Sequence, residues 1–541
     1  MKDISSTGSF IDFTLENYIY VDKTEYIPKL VKLKRVFISR PRRFGKSLTL
    51  DTIATLFETG VEPYFKGTWI YDKWTEPTYP VLRLNFLNFD KNSLEKFNNK
   101  LNSKITEFAE LNHVTSYKEK EEAEDSIDHL LEQLRLENRQ IVILIDEYDC
   151  QMTANINNET LYKQFQEKIK SFYANIKDKF AIKFLGITGV TRLKDVSIFS
   201  VGSDIRDITN SSAYSQMIGF TRDEIKKFYI DYLKLAASYE NNCSVDDVTD
   251  TQLESLLDRL AKNYDGYCFD EFYKKKVFST WSVNKFFQSV VSNKFVYFGE
   301  YWYDNGGLPS ILVNYLKTHE LNIFEYLDKD KFLKVSSDDF KNPTALTTIN
   351  QNVLMCQTGY LTLRSDLNKT STVALGIPNG EIYKALNRLL ANNIFKGNTD
   401  ITDDYGRSLL EVGTVDDIIN LFNSALNSVS YDNYPIVSES SVQNMLKLYL
   451  LGAHQEVLSE VHEAKGRADL IVNTDIRRIV FEFKYAQNES EAKTKLSEAV
   501  EQIKSRDYGN ILPKKHELLR IAAVFNADPK VRAFTENQIV P

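Results

Sequence analysis

Three apolar runs constrain this chain more than any other feature: RVFIS from position 35, IVILIDEYD at 141–149 and FAIKFLGIT at 180–188. Inside each run, polar residues do not alternate with apolar ones, as they would in a strand with one wet face. Runs of this length suit strands covered on both sides, the condition of a parallel sheet flanked by helices. The segments between them carry helical spacing. Leu50, Ile53, Ala54 and Phe57 share one face of KSLTLDTIATLFE. Ile127, Leu130, Leu131 and Leu134 do so within 121–138, and Leu161, Phe165, Ile169, Phe172 and Ile176 within 159–178. YPVLRLNF at 79–86 adds a further strand. Strands alternating with helices imply right-handed crossovers and an α/β fold, a parallel sheet with helices on both faces.

The remainder changes character twice. TRDEIKKFYIDYLKLAA at 221–237 opens with Thr221 and Glu224, a capping box, and is expected to be one helix. Helical text then runs to about 395, broken by NYDGYCF, DNGGLPS and LGIPNGE. The polar patch at 397–404 reads as a linker. Beyond it the order is helix (441–452), three strands (QEVLSEV, RADLIV, RRIVFEFKYA), helix (490–505) and strand (518–525): αβββαβ. A chain of 541 residues is too long for one core.

Composition narrows the class. With a net charge of −8, the surface as a whole does not attract nucleic acid, so any such contact must use a local basic patch. The four cysteines are far apart, which argues against structural zinc and for free thiols. The N-terminus does not read as a signal peptide and no run is long enough to cross a bilayer, so the expectation is a cytoplasmic protein without a membrane partner.

Two sets of residues carry chemistry. SRPRRFGKS follows the first strand and precedes a helix. Its Gly45-Lys46-Ser47 ends like a phosphate-binding loop, G-x-x-x-x-G-K-[ST], although Arg40 stands where the first glycine belongs. Gly45 lets the backbone approach, Lys46 reaches the terminal phosphates and Ser47 places a hydroxyl on Mg²⁺. Arg40, Arg42 and Arg43 are expected to add charge beside the anion. Asp146, at a strand end, would orient Mg²⁺, Glu147 would polarise the attacking water, and Thr188, ending the next strand, would sense the γ-phosphate. A basic turn and an unrelated acidic loop are the bland alternative, and two halves falling in matching contexts count against it.

In the C-terminal segment, Glu482 and Lys484 point to one face of a strand, and Asp469 begins its neighbour. A carboxylate pair of this kind binds a hard divalent cation. The carbonyl of Phe483 would be a further ligand, and Lys484 would orient water and offset developing charge. An ordinary surface pair on a small sheet remains open.

YVDKT (20–24), RPRRFGKS (40–47), LIDEYD (144–149), the segment from 207 to 221 and YDGY (264–267) together resemble the AAA-ATPase-like family that carries a nuclease-superfamily tail. The resemblance covers most of the chain. It implies ATP binding by Gly45, Lys46 and Ser47, with Arg43, Phe44 and Leu48 completing the contacts, and hydrolysis aided by Asp146 and Glu147. Asp469 followed by Glu482-x-Lys484 resembles the PD-(D/E)XK nuclease superfamily. In that family's pattern Glu460 is an extra acid, and Gln502 and Tyr508 contact substrate or hold the site. The implied organisation is a P-loop ATPase domain at 1–240, a helical, lid-like middle at 241–396 and a restriction-endonuclease-like domain at 397–541. The cofactors would be ATP and Mg²⁺, and the partner nucleic acid, DNA ahead of RNA. A homo-oligomer is compatible with the sequence and not demanded by it. The rival reading is a nucleotide-dependent switch whose C-terminal domain binds a partner or nucleic acid without cutting.

Overall fold

A computed structural model describes residues 1–176, 179–193, 205–304, 310–316, 319, 323–343, 345–395, 405–453, 455–463, 466–509 and 517–541. The expected linker at 397–404 lies outside them. The chain divides into two compact units, Met1–Leu321 with Asp330–Ile382, and Asn322–Lys329 with Tyr383–Pro541.

The first unit is built on a five-stranded sheet: β1 (Arg35–Ser39), β2 (Val81–Asn85), β3 (Ile141–Asp146), β4 (Ile182–Gly189) and β5 (Arg206–Asp207). Their order is β2-β3-β4-β1-β5 and every pairing is parallel. β1 and β3 are buried along their whole length, as continuous apolar runs require when helices cover both faces. β4 sits between β1 and β3, so the loop after β1 and the acids after β3 flank the end of β4 at one edge of the sheet. The helix Lys46–Thr59 buries Leu50, Ile53, Ala54 and Phe57 beneath that loop.

The rest of this unit is mainly helical, with two departures from expectation. The helix opened by Thr221 stops at Phe228, and a second runs Ile230–Asn241. A short antiparallel sheet is also present, β6 (Leu333–Ser336), β7 (Thr362–Leu363) and β8 (Thr372–Gly376), in the order β6-β8-β7. Two-residue strands such as β7 leave no periodic trace in a sequence. The helices Ile230–Asn241, Asp250–Tyr264 and Thr280–Asn293 share a core of Leu233, Leu257, Leu260, Phe286 and Phe287.

In the second unit the helix Glu439–Gly452 leads into β9 (Glu456–Glu463), β10 (Gly466–Asn473) and β11 (Arg477–Ala486). The helix Glu489–Arg506 follows, then β12 (Glu517–Asn526). This is the αβββαβ order, extended by β13 (Ala533–Ile539). The sheet runs β13-β12-β11-β10-β9, with only β11–β12 parallel. The long helix serves as the crossover that a parallel pair needs. Ala499 and Ile503 on that helix pack on Val480 and Ala522.

Candidate functional sites

The loop after β1 ends on Gly45, whose φ of 101° is left-handed backbone that glycine adopts without strain. From there the helix Lys46–Thr59 presents its N-terminal amides, a ready anion site. The buried Lys46 Nζ donates to the carbonyls of Arg40 (3.1 Å) and Pro41 (3.3 Å) and lies 3.6 Å from Glu147 Oε1. Ser47 Oγ donates to Asp146 Oδ2 at 2.6 Å, and Thr188 Oγ1 donates to Asp146 Oδ1 at 2.5 Å. One carboxylate thus gathers residues from three elements, which follows from β4 lying between the other two strands. Glu147 has a φ of 53°, unusual for a residue with a side chain. Burial raises its pKa, Lys46 pulls it back, and Asp149 and Asp146 push it up again.

A cavity of about 530 Å³ adjoins this loop, within the range for a nucleotide-sized ligand. Arg42, Arg43, Phe44, Gly45, Lys46, Ser47 and Leu48 line it, with Glu147, Tyr20, Tyr26 and Trp281. Tyr20, Val21 and Lys23 of the YVDKT segment are on its wall. Phe44 contributes backbone rather than ring, since its side chain is buried edge-on to Tyr267, Phe269 and Trp302.

The arginines require a correction. Arg40 was expected beside the anion, but its guanidinium is buried, 4.1 Å over the Phe269 ring, and donates to the carbonyls of Ser39 and Thr209. It braces β1 to the segment after β5, and burial lowers its pKa to about 9. Arg43 also turns inward: its Nη1 donates to the carbonyls of Tyr301 and Trp302, and its guanidinium stacks 4.6 Å from Trp281. Arg42 also lines the cavity, and among the described residues it makes no such bracing bonds.

Sequence reasoning did not single out two buried acids here. Asp149 accepts from the Thr191 amide at 2.7 Å and the Thr191 hydroxyl at 2.6 Å, fixing the turn after β4. Glu381 accepts from Ser282 Oγ at 2.7 Å and from the Trp302 amide at 2.8 Å. Burial pushes its pKa up to about 8. A lone glutamate near a helix start gives no sign in the sequence that it will be enclosed.

In the second unit, Asp469 Oδ2 accepts from the Phe483 amide at 2.8 Å, which ties β10 to β11. Lys484 Nζ donates to Glu482 Oε1 at 2.9 Å, to the Phe483 carbonyl at 3.1 Å and to Glu439 Oε1 at 3.2 Å. Glu439 begins the preceding helix and went unnoticed in the sequence, being far from the strand motif. Glu482 is wholly buried, and its Oε2 has no hydrogen-bond partner among the described residues. Burial and then Asp469 push its pKa up to about 7, against the pull of Lys484. Tyr508 is buried and donates to the Arg467 carbonyl at 2.6 Å, so it holds the site's frame. Glu460 lies on β9, and its side chain is outside the described residues. Gln502 lies on the helix Glu489–Arg506.

Among the described residues no three His, Cys, Asp or Glu side chains form a ready metal cage. Mg²⁺ keeps waters and takes one or two carboxylates with substrate phosphates. The Ser47–Asp146 pair is a hard-oxygen set of that kind, and so are Asp469 and the unpartnered oxygen of Glu482.

A parallel sheet with a glycine-lysine-serine loop on one strand and paired acids on another defines a P-loop ATPase-like unit, and the αβββαβ sheet with Asp, Glu and Lys defines a nuclease-like one. Comparison with known proteins agrees. Residues 5–199 match the AAA-ATPase-like family, described as a predicted AAA-ATPase, and residues 437–534 match the PD-(D/E)XK nuclease superfamily. The chain thus carries an AAA-ATPase-like domain at residues 5–199 and a PD-(D/E)XK nuclease superfamily domain at residues 437–534. It is 26% identical over 534 residues to an uncharacterized protein from the vnfD 5′ region of Azotobacter chroococcum mcd 1, covering 95% of this chain and 94% of that protein. Among solved structures it is similar to a Walker-type ATPase of Pyrococcus abyssi (12% identity, 67% of this chain and 94% of that one, TM-score 0.36). It is also similar to Cdc6p from Pyrobaculum aerophilum (12% identity, 68% and 93%, TM-score 0.23). No helix among the described residues is long and apolar enough to cross a membrane.

Proposed function

We propose that this protein is an ATP-hydrolysing, Mg²⁺-dependent phosphodiesterase that acts on nucleic acid, DNA ahead of RNA, in a cytoplasmic setting. One observation carries the reading: Glu482 is fully buried beside Asp469, with one oxygen on Lys484 and the other without a partner among the described residues. A buried carboxylate with an unused oxygen is costly unless a cation or water takes it.

When bound, Mg²⁺ supplies charge to a phosphoryl oxygen and lowers the pKa of water at either site. In the first unit the Gly45 loop and Lys46 grip the terminal phosphates, Ser47 and Asp146 hold the ion, and Thr188 fixes Asp146. Glu147, next to Lys46, takes the proton of the attacking water. In the second unit Asp469, Glu482 and the Phe483 carbonyl hold the ion, and Lys484 orients the water and offsets the charge that develops on phosphorus oxygens. ATP turnover in the first unit regulates cutting in the second.

The test is a Mg²⁺-dependent cleavage assay on single- and double-stranded DNA and RNA, using wild type, Asp469→Ala and Lys46→Ala, with and without ATP. Asp469→Ala is expected to abolish cutting, and Lys46→Ala to abolish ATP turnover and its effect on cutting. No cutting in any sample, together with partner binding that survives Asp469→Ala and fails in Lys46→Ala, would establish the switch reading instead.

A further inference from the structure

The opposite edge of the ATPase-like sheet carries a second cavity, about 800 Å³, larger than the one beside the phosphate loop. It is lined by Arg35, the first residue of β1, by Ile182, the first residue of β4, and by Gln140, just before β3. It therefore lies at the N-terminal ends of the strands whose C-terminal ends carry the loop and Asp146. Six basic residues, Lys32, Lys34, Arg35, Lys73, Lys179 and Lys183, line it against one carboxylate, Glu76. In a chain with a net charge of −8 such a concentration is exceptional.

Part of this charge is already used. Lys183 pairs with Glu76 at 2.6 Å, Lys179 with Asp128, and Arg35 donates to the Lys179 carbonyl. Lys32 and Lys34 are exposed and have no carboxylate partner among the described residues, and exposed Lys73, which also lacks one there, donates to the Trp69 carbonyl at 3.1 Å and lies 4.4 Å over the Trp69 ring. Two aromatic residues share the groove. Phe180 is 61% exposed. Trp74 is half-buried against Phe57, and its indole Nε1 makes no hydrogen bond among the described residues.

We propose that this groove binds a single strand of nucleic acid, with phosphates on Lys32, Lys34 and Lys73 and bases against Phe180 and Trp74. Cations alone would serve an acidic polypeptide equally well. Aromatic faces set among cations suit unstacked bases, and a continuous duplex hides those faces. The groove is remote from the phosphate loop on its own sheet, so strand and nucleotide can be held together. The inference stands whether or not the C-terminal unit cuts, because binding is read with cleavage blocked.

The test uses the full chain in EDTA and fluorescence anisotropy of labelled 15-nucleotide oligothymidylate and oligouridylate, with a duplex of equal length and polyglutamate as competitors. Three phosphate contacts predict that affinity falls about 20-fold between 50 and 200 mM salt. The double variant Lys32→Gln/Lys34→Gln is expected to bind about 25-fold more weakly at 0.1 M salt. Phe180→Ala is expected to lose about fivefold or more on either oligonucleotide, as loss of one stacking contact gives. These side chains are exposed, so melting temperature and nucleotide binding should stay at wild-type values, and the two oligonucleotides tell DNA from RNA. No binding by wild type, or variants that bind as wild type does, overturns the proposal. Polyglutamate that displaces the strand at equal charge while Phe180→Ala has no effect overturns it in favour of an acidic polypeptide.

Discussion

Glu381 offers the sharpest test of how the first unit is held together. Its carboxylate is 2% exposed, and hydrogen bonds from Ser282 and the Trp302 amide do not offset the loss of water. Its pKa rises from 4.5 to about 8, chiefly through burial, with Arg43 giving only a partial counterweight. A carboxyl whose folded pKa is raised favours the folded state while protonated. That contribution is complete below 4.5 and is lost as pH climbs towards 8. At about 1.4 kcal/mol for each pH unit, ionisation costs about 3 kcal/mol by pH 7 and about 1 kcal/mol at pH 5. Glu381→Gln keeps the shape and an acceptor for the Trp302 amide but cannot ionise. All four tryptophans, Trp69, Trp74, Trp281 and Trp302, lie in this unit, so their fluorescence reports its melting alone. At roughly 2 °C for each kcal/mol in a large unit, the variant should melt about 6 °C higher at pH 7 and about 2 °C higher at pH 5. A variant that melts at or below wild type at pH 7, or that shifts equally at both pH values, would refute the assignment of a buried, reluctant acid.

Three further outcomes are expected. Arg40→Met keeps a side chain over Phe269 and removes a buried charge, so affinity for a fluorescent ATP analogue should stay within about twofold of wild type; a tenfold loss would return Arg40 to the phosphate. Gly45→Ala forces a side chain onto backbone at φ 101° and should destabilise the loop by about 1 kcal/mol or more, seen as weaker binding of the same analogue with the melting of the second unit unchanged. Tyr508→Phe removes the bond to the Arg467 carbonyl and the one accepted from Arg506 at 2.7 Å. It should cost the second unit about 1–3 kcal/mol in urea unfolding followed by circular dichroism, and no loss would mean that Tyr508 braces nothing.

The sequence alone determined the main elements and their order, though not the short strands β5 to β8, the break after Phe228 or β13. Apolar runs without alternation marked β1, β3 and β4, and helical spacing marked Lys46–Thr59 and Glu159–Ile176, because burial on one or two faces writes its period directly into the chain. Gly45-Lys46-Ser47, Asp146-Glu147 and Glu482-x-Lys484 were legible for the same reason: each is a short motif whose spacing is local. Where those motifs meet was decided only in three dimensions. β4 lies between β1 and β3, and from that strand order alone Ser47 and Thr188 both reach Asp146. Arg40 belongs to the motif in sequence yet is drawn into the interior by Phe269 and the Thr209 carbonyl, neither of them near it in the chain. Glu381 and Glu439 became visible when distant segments enclosed one and carried the other to Lys484. Spacing along a chain records which face a residue shows, and contacts made across long loops leave no such record.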